Sequence, residues 1–88
     1  AECLTEAAKS LGLPSDLAER LGRVTVAGSG ELLHQSENTA ASLRQNVTSP
    51  GGTTEAALRV LMSDAGLEVL LKQSTEAAFQ RASELASS

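Results

Sequence analysis

Apolar residues recur along this chain at helical spacing. Leu4, Ala7, Ala8 and Leu11 stand at i, i+3, i+4 and i+7, which predicts a helix from Glu2 to Leu11. Gly12 is its stop signal, and Pro14 begins the next segment. From Ser15 to about Gln35, Leu17, Leu21, Val24, Gly28 and Leu32 fall on one stripe of a long helix. Asn38 or Thr39 can cap a short helix that runs through Val47 and is ended by Pro50. A fourth helix is predicted from Thr54 to about Ala65. It carries Ala57, Leu58, Leu61, Met62 and Ala65 on one face, with Gly66 as its C-cap. The last helix runs from Leu67 to about Leu85 with Leu67, Leu70, Leu71, Ala78, Ala82 and Leu85 at helical spacing. The tail Ala86-Ser87-Ser88 is expected to fray. About five helices joined by short connections predict an all-α fold, a small helical bundle.

One stretch fits two patterns. Val24-Thr25-Val26-Ala27-Gly28-Ser29-Gly30 could be a strand entering a glycine turn, and Gly28-Ser29-Gly30 would then open a dinucleotide fingerprint. The third small residue of that fingerprint would fall at Leu33, and no strand with an acidic end follows. The helical reading is therefore kept. In it, Ala27, Gly28 and Gly30 are small so that another helix can come close. Each glycine costs about 1 kcal/mol of helix propensity against alanine, which close packing must offset.

Composition sharpens this picture. The chain has 88 residues, enough for one small domain, and 41% of them are hydrophobic. Phe79 is the only aromatic residue, and aromatics usually supply much of a core's buried area. An aliphatic, alanine-rich core of this size is marginal alone, and oligomerisation is a usual remedy. The net charge of −4 is spread over interspersed acids and bases, with no basic patch and no aromatic ladder, so nucleic-acid binding is not expected. No apolar run approaches the ~20 residues of a membrane span and no signal peptide is visible, which points to the cytoplasm. The start at Ala1 rather than Met suits a fragment of a longer protein. The lone Cys3 excludes an internal disulfide and suits a reducing compartment. It is expected to be a small buried or half-buried residue.

Most candidate chemistry gives way to plainer readings. His34 has no identifiable orienting partner and is expected at an exposed helix end. One His and one Cys far apart do not make a zinc site, so no metal is expected. Ser15, Ser49 and Ser63 lack a nearby base, and the scattered glutamates read as solvated helix faces.

The stretch Val47-Thr48-Ser49-Pro50-Gly51-Gly52-Thr53-Thr54 is different. Pro50 has no N–H and keeps Ser49 out of helical geometry. Gly51 and Gly52 permit backbone angles and close approaches that other residues forbid. Thr53 and Thr54 are good caps for the helix that begins Glu55-Ala56-Ala57-Leu58. A Pro-Gly loop with a threonine cap accounts for Pro50, one glycine and one threonine. The alternative is an anion site of backbone N–H groups and hydroxyls at a helix N-terminus.

The run Asn46-Val47-Thr48-Ser49-Pro50-Gly51-Gly52-Thr53-Thr54 followed by Ala57-Leu58 resembles the signature of pyrroline-5-carboxylate reductase. The resemblance covers nearly the whole chain. Leu11-Gly12-Leu13-Pro14, Ala40 to Arg44 and Ala65-Gly66-Leu67 all stand where that family has them, and the family usually has a Lys where Glu31 stands. It implies that residues 1–88 are the C-terminal dimerisation and substrate-binding domain, interlocked with a second chain as a homodimer or a higher oligomer. The family's N-terminal dinucleotide-binding domain is outside these residues, so this fragment alone is expected to be inactive. The implied reaction is the last step of proline biosynthesis, reduction of 1-pyrroline-5-carboxylate to L-proline with NADPH or NADH. By residue match, Ser49, Gly51, Gly52, Thr53 and Thr54 would hold the substrate carboxylate. Thr54 would also lie near the ring nitrogen and assist protonation, and Asn46 would lie near the nicotinamide. Two other readings fit the residues: the helical domain of a related imine or hydroxyacid reductase, and a free-standing helical interaction module.

Overall fold

The computed structural model describes residues 1–87. It contains five helices and, among the described residues, no strand: α1 (Glu2–Ser10), α2 (Ser15–Gln35), α3 (Ala40–Asn46), α4 (Thr53–Leu61) and α5 (Leu67–Ser87). The all-α expectation and the number of helices hold. The chain divides into two compact units, Ala1–Leu43 and Arg44–Ser88.

In the first unit α1 packs on α2. Gly12, at φ +98°, ends α1 in a left-handed conformation. Its N–H donates to Lys9 O (3.0 Å) and the Leu13 N–H donates to Ala8 O (3.2 Å), the paired bonds of a Schellman motif. That reversal brings the chain back for α2 to lie against α1. Ala18 is fully buried, and Gly22 is buried where α2 passes closest to α1. A Cβ on Gly22 would lie 2.7 Å from Thr5 Oγ1 and 3.2 Å from Ala1 O, so a side chain here would push Thr5 and the Ala1 carbonyl aside. Val24 to Gly30 is helical throughout, which removes the strand reading. Nothing lies within 4 Å of a Cβ placed on Gly28 or Gly30, so within the first unit no helix makes the close approach expected there. Glu31 is exposed and accepts a hydrogen bond from Gln35 Nε2 (2.5 Å). Thr39, not Asn38, caps α3: its Oγ1 accepts from the Ser42 N–H at 3.1 Å.

The second unit holds the end of α3, the turn, α4 and α5. Helix α4 ends four residues earlier than its apolar spacing predicts, at Leu61 rather than Ala65. Ser63 is the reason. Its hydroxyl donates to Val60 O (2.7 Å) and its N–H donates to the same oxygen (3.3 Å), a local closure that competes with helix continuation. Gly66 is consequently not the C-cap of α4. It lies before α5, and its carbonyl accepts the first bond of that helix from the Leu70 N–H (3.2 Å). Gly66 is buried so tightly that a Cβ would lie 2.3 Å from Leu61 O. The predicted fraying at the C-terminus is corrected for Ala86 and Ser87, which complete α5, with Ser87 Oγ donating to Ser83 O (3.0 Å). Ser88 lies outside the described residues.

Large apolar side chains are poorly covered. Leu70 is 58% exposed and Phe79 72%, and among the described residues no large side chain is fully buried. In α5 only Val69 is half-buried, the rest being exposed. Most helical stability comes from tertiary packing, and this 21-residue helix has little of it. Cys3 is exposed as well, against the expectation of a buried or half-buried thiol. The expectation rested on residue type, which does not fix whether tertiary packing covers the thiol.

Candidate functional site

The Ser49-to-Thr54 segment is built by three local devices. Helix α3 closes with the Val47 N–H donating to Arg44 O (3.3 Å) and the Thr48 N–H donating to Gln45 O (3.2 Å). Next, Ser49-Pro50-Gly51-Gly52 forms a β-turn in which the Gly52 N–H donates to Ser49 O (3.0 Å). Gly51 takes φ +74°, so proline followed by a left-handed glycine makes this a type II turn. Finally, Gly52 is the N-cap of α4 in an extended conformation (φ −85°, ψ 178°). A Cβ on Gly52 would stand 3.1 Å from Ser49 O, so this glycine answers a close approach within the turn. The two adjacent glycines thus have different reasons, one conformational and one steric.

The threonines do not cap. Thr53 and Thr54 are the first two residues of α4, and no side chain bonds to its N-terminus. The cap expectation is corrected because the tight turn moves the helix start back by one residue. The first backbone bond of the α4 ladder runs from the Ala56 N–H to Gly52 O (3.2 Å). The N–H groups of Thr53, Thr54 and Glu55 precede that ladder and point out of the helix start. Both threonine hydroxyls are also free of the capping task. Thr53, Gly51 and Ser49 are exposed, and Gly52 and Thr54 are half-buried. Asn46 is exposed at the end of α3.

The charges around this helix start are settled locally. Glu55, in the first turn, is held by Arg59 one turn on, Nη2 to Oε1 2.6 Å. The turn itself offers backbone N–H groups and hydroxyls. Such a helix start contributes about 0.3–1 kcal/mol to holding a negative charge at an exposed site.

The remaining candidates stay apart. His34 is exposed in the last turn of α2, as expected. Among the described residues no three His, Cys, Asp or Glu side chains gather where an ion could sit. No helix among them is long and apolar enough to cross a membrane. In the second unit an open apolar groove of about 420 Å³ is lined by Arg44, Leu58, Leu61, Met62, Leu67, Glu68 and Leu71. Glu68 is exposed. A hydrogen bond from Lys72, reinforced by its charge, holds the Glu68 carboxyl below the usual range. One structural feature escaped the sequence reading: the half-buried Thr48 hydroxyl donates to Arg44 O at 2.6 Å. Its signal was a hydroxyl residue four positions after Arg44 at the point where Ser-Pro ends the helix.

Comparison with known proteins agrees with this architecture. Residues 1–85 match the family described as pyrroline-5-carboxylate reductase dimerisation. The chain is 42% identical over 85 residues to the pyrroline-5-carboxylate reductase of Pseudomonas aeruginosa, covering 97% of this chain and 31% of that protein. It is 41% identical over 85 residues to pyrroline-5-carboxylate reductase 3 of Xenopus laevis, again 97% of this chain and 31% of that protein. The Synechocystis pyrroline-5-carboxylate reductase is 37% identical over 84 residues, 96% of this chain and 31% of its own. The chain thus spans about a third of the length of the curated relatives it matches.

Proposed function

The chain belongs to the pyrroline-5-carboxylate reductase dimerisation family, and from that membership we propose that residues 1–88 form the dimerisation and substrate-binding domain of an enzyme reducing 1-pyrroline-5-carboxylate to L-proline. The observation that carries the reading is the turn at the start of α4, with three N–H groups ahead of the helix ladder and two hydroxyls free of capping. Thr53 and Thr54 hold the substrate carboxylate there, in the turn that Ser49, Gly51 and Gly52 shape around it. The half-buried Thr54 hydroxyl lies next to the ring nitrogen and helps deliver its proton.

NADPH or NADH supplies the hydride. This chain's own residues suit only an edge contact with it. Gly28 and Gly30 lie inside α2, where their N–H groups serve the helix and not a phosphate cradle. Asn46, exposed at the end of α3, offers a neutral amide to the nicotinamide end. The rest of the cofactor site belongs to the part of the enzyme outside this chain. The chain's task is to hold a planar, electrophilic imine in one orientation against the hydride donor, which is worth several kcal/mol of a two-substrate barrier. The exposed apolar faces of α2 and α5 are the homodimer contact. Burial on the order of 2,000–5,000 Å² is expected of such an obligate interface. The enzyme works in the cytoplasm.

The test is oxidation of NADPH and NADH by the full-length protein with pyrroline-5-carboxylate. Rapid turnover is expected. A folded, cofactor-binding protein that leaves this substrate untouched defeats the reading in favour of a related imine or hydroxyacid reductase.

A further inference from the structure

We infer that Thr48 is a positioning residue that sets the spacing between the nicotinamide contact at Asn46 and the substrate clamp at Ser49 to Thr54. The inference rests on the function proposed above and concerns the same site. It starts from the place where α3 comes apart. A helix that continued would bond the Thr48 N–H to Arg44 O, four residues back. Here the Thr48 N–H has moved to Gln45 O (3.2 Å). The Thr48 hydroxyl takes its place on Arg44 O at 2.6 Å, and the side chain is half-buried. The only other backbone partner of that oxygen outside the helix ladder is the Val47 N–H at 3.3 Å. Pro50 has no N–H to offer, and Ser49 is held extended by the proline that follows it.

Among the described residues, the Thr48–Arg44 bond is the only side-chain hydrogen bond that ties α3 to the segment leading into α4. Asn46 lies two residues before it, and Ser49, whose carbonyl anchors the turn, lies one residue after it. Without the hydroxyl, the junction has two weaker backbone bonds, and the turn swings about Val47 and Thr48. Hydride transfer is sensitive to this kind of freedom, because a displacement of about 1 Å between reacting partners can cost ~100-fold in rate.

The test uses the full-length protein with pyrroline-5-carboxylate and cofactor deuterated at the transferred position. Thr48→Val keeps the shape and removes the hydroxyl. It is expected to lower kcat roughly ten- to a hundredfold, raise the deuterium isotope effect on kcat, and leave cofactor affinity and the dimer unchanged. Thr48→Ser, which keeps the donor, is expected to restore kcat and the isotope effect. If Thr48→Val does not fold, Thr48→Ala carries the same expectation. Wild-type kcat and isotope effect in the hydroxyl-free variant overturn the inference. Failure of both variants to fold overturns it too, making Thr48 a stability residue. Absence of turnover in the wild type instead defeats the proposed function itself.

Discussion

Phe79 offers the sharpest test of how this chain is completed. It is the only aromatic residue, and it stands 72% exposed on α5. If α5 faced water in the working protein, Phe79→Ala would remove little beyond surface apolar area, and stability would change by about 0.5 kcal/mol or less. If a second copy covers α5, the exposed share of the ring becomes buried. Full burial makes Phe→Ala cost about 3–5 kcal/mol, so the exposed share corresponds to about 2–3.5 kcal/mol per copy. A two-fold interface loses it twice, about 4–7 kcal/mol, which weakens the dimer roughly 10³- to 10⁵-fold. Sedimentation equilibrium of the full-length protein from nanomolar to micromolar concentration reads this directly. The wild type is expected to be dimeric throughout, and the variant to dissociate within the range. A change in the dimer constant of less than about threefold removes Phe79 from the interface. A folded wild-type monomer at micromolar concentration refutes the argument that the exposed helix faces are contact surface.

Gly28→Ala and Gly30→Ala are expected to weaken the dimer. Each would raise stability by about 1 kcal/mol if nothing approached those positions, so a rise in melting temperature without loss of dimer defeats the close-packing account. Gly51→Ala is expected to cost about 1–2 kcal/mol through its left-handed backbone alone, since a Cβ there meets nothing within 4 Å. Gly66→Ala should cost about 3 kcal/mol or more, because its Cβ runs into the Leu61 carbonyl; denaturant titration compares the two. Thr54→Ala should impair turnover of the full-length enzyme while changing stability by less than about 0.5 kcal/mol, since no cap bond is lost. Unchanged kinetics would take Thr54 out of the site. Lys72→Met should raise the Glu68 pKa toward the ordinary carboxylate range, followed by carbon-detected NMR titration. Any stabilisation from this pair is present above the unfolded carboxyl pKa and is lost as the pH falls through the lowered folded value. A Glu68 titration that does not move would separate the two side chains in solution.

Much of this protein follows from local rules. The five helices, the break at Gly12 and the type II turn at Ser49 to Gly52 rest on periodicity and on what proline and glycine allow. Their causes lie within four or five residues along the chain, so they can be read from it. The signature around the turn carried the family in the same way, because it is contiguous. The readings that failed needed knowledge of neighbours in space or of exact backbone placement. The threonines read as caps because threonine caps well, yet the turn starts α4 one residue earlier and leaves both hydroxyls uncommitted. Helix α4 read as longer because Ala65 keeps the apolar spacing, while Ser63 and the tight seat of Gly66 end it at Leu61. Gly22 gave no sign of its role, which depends on Thr5 and Ala1 lying against it from α1. Cys3 was expected to be buried or half-buried from its residue type alone, but tertiary packing decides what is covered, and here Cys3 and most of the large apolar side chains of α2 and α5 are exposed. Sequence by itself thus determined the helices, the turn chemistry and the family. Only the tertiary structure decided where α4 stops, which glycines are contacts and which hydroxyls are free, because those depend on exact backbone placement and, for Gly22, on atoms far apart along the chain.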